Sequence, residues 1–143
     1  MAASAWSFYN SFREYVGKAE FDIVANTFKM AVFTNATTTV TTKTLSTYAS
    51  LNGEATGGSY VAGGKAMVSK TWASVATDKY RFDSTAVVWT ATGGTIANIK
   101  YAVVYQSGGK LVCFSKLTTS QFTLAEDNTL TVTPSASGIF ELA

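Results

Sequence analysis

At 143 residues, with 47% hydrophobic, 13% aromatic and only 14% charged residues, the chain has the composition of one globular domain, far from the polar, highly charged region of disordered chains. Its eleven Lys/Arg and nine Asp/Glu are scattered without a basic run, which argues against nucleic-acid binding, where clustered cations must neutralise phosphates. Histidine is absent, which removes Ser-His-Asp and Cys-His nucleophiles, His-ligated zinc and the usual general base near neutral pH.

The first segment is aromatic. Trp6, Phe8, Tyr9, Phe12, Tyr15 and Val16 include the 8, 12, 15/16 spacing of a helix face, with Ser4 as N-cap and Gly17 as stop. A short amphipathic helix is therefore predicted over residues 5–16. It divides the chain into an N-terminal helical arm, 1–17, and a single β-domain, 18–143. Such an arm either plugs one end of the β-core or docks on a partner. The first charge is Arg13, so no export signal is expected there. A run of about 20 apolar residues, the length that spans a membrane, is also missing from the sequence.

Residues 27–34 read as the first strand, with Phe28, Met30 and Val32 on one face and Lys29 on the other. Residues 35–44 are rich in threonine, six of the ten, which predicts an exposed edge or a long loop. A helical turn is predicted within 45–52. From Gly57 onward, β-branched and aromatic segments are cut apart by paired glycines at 57–58, 63–64, 93–94 and 108–109. Strands are predicted over 66–72, 79–82, 86–89, 97–106, 111–117, 129–133 and 139–142. In 97–106, Ile99, Tyr101, Val103 and Tyr105 alternate with Lys100, Ala102 and Val104, the pattern of a central strand covered on both faces. The expected fold is all-β, an antiparallel sandwich or barrel of about seven or eight strands with one short N-terminal helix.

Little in these strands can do chemistry. The pairs Glu20/Asp22, Asp78/Asp83 and Glu126/Asp127 could in principle supply the two acids that a glycosidase needs, but adjacent acids in Gly/Thr-rich loops are more often turn residues. No calcium-binding Asp-x-Asp-x-Asp-Gly loop occurs, and the glycines at 57–64 lack the Gly-Lys-Ser/Thr ending of a phosphate cradle. Cys113, the single cysteine, reads as a small hydrophobe in a strand. Tyr60, Trp72, Trp89, Tyr101 and Tyr105 are read as strand aromatics in the core, with a sugar platform as the alternative. No catalytic residue, cofactor or metal is expected, and a surface so poor in charge suits burial by neighbouring subunits.

Gly58-Ser59-Tyr60-Val61-Ala62-Gly63-Gly64-Lys65, Phe82-Asp83 through Val87-Val88-Trp89, Lys100-Tyr101-Ala102-Val103-Val104-Tyr105, and Thr131-Val132-Thr133-Pro134 followed by Gly138-Ile139-Phe140-Glu141-Leu142 occur in that order. In these motifs the chain resembles a family of small proteins encoded among the structural genes of tailed bacteriophages. The aromatic start and Asp22 to Met30 extend the likeness to residues 5–142. The resemblance implies a non-enzymatic virion protein made in the host cytoplasm, a capsid decoration or cement protein. Such a protein binds the outer surface of the phage head, contacts the major capsid protein and further copies of itself, and stabilises capsomer contacts. The expected contact residues are Trp6, Phe8 and Phe12 in the arm and Thr38, Thr41 and Lys43 in the loop 37–47. The alternatives are a glycan- or receptor-binding module of a head or tail fibre, a tail or connector subunit, and an enzyme working through paired carboxylates.

Overall fold

The computed structural model describes residues 5–36 and 39–143. Its elements in chain order are β1 (Ser7–Phe8), α1 (Asn10–Gly17), β2 (Phe28–Thr34), a 3-10 turn (Tyr48–Ser50), β3 (Lys65–Ala66), β4 (Thr71–Ala76), β5 (Lys79–Asp83), β6 (Val87–Thr90), β7 (Ile96–Gln106), β8 (Leu111–Lys116), β9 (Phe122–Leu124), β10 (Thr129–Val132) and β11 (Phe140–Leu142). All pairings among them are antiparallel. The fold is all-β and sandwich-like. It has more strands than the sequence predicts because β1, β3 and β9 are only two or three residues long.

The main sheet has the order β1-β8-β7-β2-β3, with β9 on the first half of β7. It is the middle layer. Along β2, Phe28, Met30 and Val32 enter one core while Ala31 and Phe33 enter another, and along β7 Ala102 and Val104 alternate in the same way with Val103 and Tyr105. Period-2 alternation of apolar residues on both sides is what a sheet covered on both faces requires.

The larger core lies between this sheet and two small ones, β10-β6 and β11-β5-β4, which contribute Leu130, Val132, Val87, Trp89, Phe82 and Phe140. The second face is covered by the threonine-rich loop. Val40, the one branched aliphatic residue of its run, is fully buried, and Leu45, Tyr48 and Leu51 pack beside it. Tyr9 donates its hydroxyl proton to the Val40 carbonyl at 2.7 Å, and Asn10 N–H donates to the Lys43 carbonyl at 2.9 Å. The loop is therefore docked, because a single branched side chain every few residues suffices to hold a threonine run against a sheet.

Two predicted elements differ. Residues 5–9 are not helical: Ser7 and Phe8 pair with Phe114 and Cys113, and α1 starts after Tyr9. Ser4 lies outside the described residues. The left-handed residue that ends the helix is Ala19, at φ 55°, two positions beyond the predicted stop at Gly17. The predicted strand 66–72 is split between β3 and β4. Between them Met67 N–H donates to the Phe28 carbonyl, Val68 C=O accepts from Thr85 N–H, and Ser69 adopts φ 51°, so the chain passes from one sheet to another. Among the described residues no helix is long and apolar enough to cross a membrane.

A candidate docking surface on the β4–β5 hairpin

β4 and β5 are joined through Thr77 and Asp78, and Asp78 sits at φ 60°, a conformation that Asp tolerates better than most residues. Trp72 pairs with Phe82 and Ser74 with Tyr80, while Phe140 and Leu142 of β11 face Phe82 and Tyr80 from the other side. Trp72, Phe82, Phe140, Tyr80 and Leu142 therefore share one face, because opposed residues in antiparallel strands point the same way. Phe82 and Phe140 are buried, and the face then runs past the edge of the core. Trp72 is half-buried, Tyr80 is 47% exposed and Leu142 is 36% exposed. The Trp72 and Tyr80 rings stack at 5.6 Å.

On the opposite face, Arg81 donates from both its ε and a terminal nitrogen to Glu141 Oε1, at 2.9 and 2.7 Å, with Lys79 at 3.3 Å from Oε2. The Arg81 hydrogen bonds hold the Glu141 carboxyl below its ordinary range. These charges tie β5 to β11 while leaving the aromatic face uncharged.

That face borders an apolar groove of about 450 Å³ between the hairpin and residues 16–24. Phe12, Phe21, Ile23, Trp72 and Phe140 line it, with Val24 (62% exposed) and Val16 (41% exposed) at its rim. Asp22 forms the turn that presents Val24, its carboxylate accepting from Val24 N–H at 3.1 Å and Ala25 N–H at 2.9 Å. Outer strand β4, Thr71 to Ala76, carries no charge, and a bulge at Val75 interrupts its pairing near the tip. Bulged edges resist open-ended strand addition, so the apolar feature left open here is the aromatic face and groove more than the strand edge.

The predicted contact residues are placed as follows. Phe12 is 2% exposed, so it belongs to the core and reaches the groove only as part of its wall. It stacks on Phe8 at 4.8 Å and meets Phe140 edge-on at 5.1 Å. Phe8 and Trp6 are half-buried against the same core. An aromatic row at helical spacing has to cover something, and here it covers the chain's own β-core. Thr41 and Lys43 are exposed, and Thr38 lies outside the described residues. The backbone bond between Asn10 and Lys43 brings the arm and the loop together at one edge. Tyr80, Val24 and Leu142 carry no sequence pattern that marks them as surface, and the uncharged run Thr71 to Ala76 is the one signal pointing to this hairpin.

The candidate acids serve local structure. Glu20 pairs with Lys110 at 2.6 Å, Asp83 accepts from Ser84 N–H at 2.8 Å, and Asp78 and Asp127 occupy left-handed turn positions. Among the described residues no group of three or more Cys, Asp or Glu is positioned to hold a metal ion. The five aromatics considered as a sugar platform are not gathered on one surface, since Trp89 and Tyr105 are buried.

The densest polar constellation centres on Glu54. Its Oε1 accepts from the Tyr60 hydroxyl at 2.9 Å and Gly63 N–H at 2.6 Å, Tyr60 oxygen accepts from Val32 N–H at 3.1 Å, and the Tyr105 hydroxyl donates to the Gly63 carbonyl at 2.7 Å. This clamp holds the 57–64 turn to β2. Burial, followed by the Glu54 charge, pushes the Tyr60 phenol well above its ordinary pKa, and burial with Glu54 does the same to Tyr48. Burial also raises Tyr9. A raised folded-state pKa means stability that is complete below the unfolded value of about 10 and lost as pH climbs above it. Denaturation midpoints are thus expected to hold from neutral pH to about 9 and to fall steeply above about 10, with tyrosinate absorbance rising together with unfolding. Tyrosines that all titrate near 10 in the folded state would contradict the clamp.

Comparison with protein-family models, with curated proteins and with solved structures returned no match to this chain.

Proposed function

We propose that the chain is a non-enzymatic virion structural protein, a decoration or cement protein that binds the outer surface of a tailed-phage head through the major capsid protein and reinforces capsomer contacts. The observation that carries this reading is the uncharged aromatic face of the β4–β5 hairpin, continuous with an apolar groove, on a molecule otherwise poor in charge. Exposed apolar surface of this kind is suited to a protein contact, which supports the reading. The motifs of the phage-family resemblance support the same reading at the level of shape: residues 58–65 form the clamped turn, 100–105 lie in the central strand, and 138–142 close the hairpin sheet. Phe82-Asp83 and Gly138 meet there, since Gly138 leaves no room for a side chain against the Phe82 carbonyl. Modest contacts repeated over a lattice add up to firm attachment.

Co-sedimentation of the purified chain with expanded, undecorated heads of the phage that encodes it, and with unexpanded shells, tests the proposal. Saturable binding to expanded heads alone is the expected result. Absence of binding to either shell overturns it.

A further inference from the structure

The loop that covers the second face of the main sheet ends at Leu51-Asn52-Gly53-Glu54, where the chain returns to the flank of β2. Glu54 bridges Phe33, the Gly53 carbonyl accepts from Thr34 N–H at 2.8 Å, and Ala55 N–H donates to the Val32 carbonyl at 2.9 Å. These bonds take hold from the Gly53 carbonyl onward. Among the described residues Gly53 N–H makes no backbone hydrogen bond, so the peptide nitrogen joining Asn52 to Gly53 stays outside the ladder.

Asn52 is exposed, and its side chain is turned to Thr39. The Thr39 hydroxyl donates to Asn52 Oδ1 at 3.0 Å and accepts from Asn52 N–H at 2.8 Å. A donor on that oxygen stabilises the negative charge that builds on it when a nucleophile adds to Cγ. The nucleophile within reach is the Gly53 nitrogen, which closes a five-membered ring. Gly53 has no side chain to crowd the approach and sits at φ 80°, where glycine turns at little cost. The other asparagines, Asn10, Asn26, Asn35, Asn98 and Asn128, are followed by Ser, Thr, Ala, Ile and Thr, whose side chains obstruct the same closure.

We propose that Asn52 is a site of spontaneous deamidation, an age mark built into the loop over the second face. The Gly53 nitrogen loses its proton and bonds to Asn52 Cγ, the bond from Cγ to the side-chain nitrogen breaks, and ammonia leaves with that proton. Water then opens the cyclic imide at either carbonyl, giving aspartate or isoaspartate at position 52. Both products add a negative charge two residues from Glu54. Isoaspartate also routes the main chain through Cβ, lengthening it between the Thr39 contact and the Gly53–Thr34 bond, so the aged loop grips β2 less firmly. None of Thr39, Asn52 and Gly53 lines the apolar groove, and this chemistry is independent of head attachment.

The intact chain is held at physiological temperature in mildly acid and mildly alkaline buffer, and peptide mapping by mass spectrometry follows every asparagine over several weeks. Asn52 is expected to convert at least about tenfold faster than any other asparagine, and faster in the alkaline buffer, because the reacting species is the deprotonated Gly53 nitrogen. A parallel sample in concentrated urea measures what the fold does to the rate. The native rate at Asn52 is expected to lie within about tenfold of the rate in urea, as for a peptide whose local opening costs almost nothing. Asn52→Gln, which can close only a larger ring, is expected to remove the acidic species that ion exchange resolves in aged wild type. Conversion at 52 no faster than at the other asparagines, a native rate more than about a hundredfold below that in urea, or an undiminished acidic species in Asn52→Gln would each overturn the proposal.

Discussion

Replacing Gly64 with alanine is expected to destabilise the protein by about 2–5 kcal/mol, combining the left-handed backbone penalty for a residue with a side chain and the strain of an overpacked site. Gly64 has φ 69°, and an added Cβ would lie 2.0 Å from the Met30 carbonyl oxygen and 2.6 Å from Ala31 Cα. Those atoms belong to β2, which is paired with β7 on one side and β3 on the other, so they cannot move aside without breaking a ladder. The same turn carries Gly63, whose N–H and carbonyl are bound by Glu54 and Tyr105. A displaced turn would therefore loosen the polar clamp too. Gly17 provides the contrast: nothing lies within 4 Å of its added Cβ. Gly17→Ala should be neutral or stabilising by up to about 1 kcal/mol, as expected for Gly-to-Ala in a helix. Urea midpoints at constant m-value measure both. Equal effects at the two positions would show that the close approach of the 64 turn to β2 is wrong.

Phe140→Ala should cost about 3–5 kcal/mol, the range for truncating a buried aromatic. Phe140 joins parts of the chain far apart in sequence: its ring centroid lies 5.1 Å from Phe8, 5.1 Å from Phe12, 5.4 Å from Phe82 and 6.0 Å from Trp72. Removing it opens a void where β1, α1 and the hairpin sheet meet and takes out the floor of the groove. Partner binding should be lost together with stability. Phe140→Leu, which fills most of the volume, should recover much of the stability. A loss below about 1 kcal/mol for Phe140→Ala would mean that the aromatic cluster does not couple the N-terminus to the hairpin.

Much of the scaffold was legible in the sequence, for physical reasons. Alternation from Ile99 to Tyr105 announces a strand buried on both faces, and Gly108-Gly109 supplies the positive φ angles, 122° and 104°, that turn β7 into β8. What escaped depends on tertiary partners. Residues 7 and 8 look like the start of a helix and become a strand because the edge of β8 is there to pair with them. The 35–44 segment reads as an uncommitted polar run, since only the exposed second face of β2 and β7 explains why Val40 should be buried. Ser69 and Ala19 take left-handed conformations that their residue types do not advertise.

The surface was harder to read than the core. The helical spacing of the N-terminal aromatics reveals that one side will be covered without naming what covers it, and Phe12 turned inward. Trp72 and Tyr80 sit on the same hairpin face as Phe82 and Phe140, and in the sequence all four look alike. Only the point at which the hairpin outruns the core separates buried rings from exposed ones.

Binding of the intact chain and of a Val24→Asp/Tyr80→Asp variant to expanded phage heads is the most direct test of the docking account. Both positions are exposed, so the variant should keep its melting temperature within a few degrees, while two charges placed on an apolar contact should weaken attachment more than about tenfold. Wild-type binding that saturates, with the folded variant failing to bind, is the predicted result. Equal binding by both would contradict the hairpin face as the docking surface, and binding by neither would contradict the proposed role on the head.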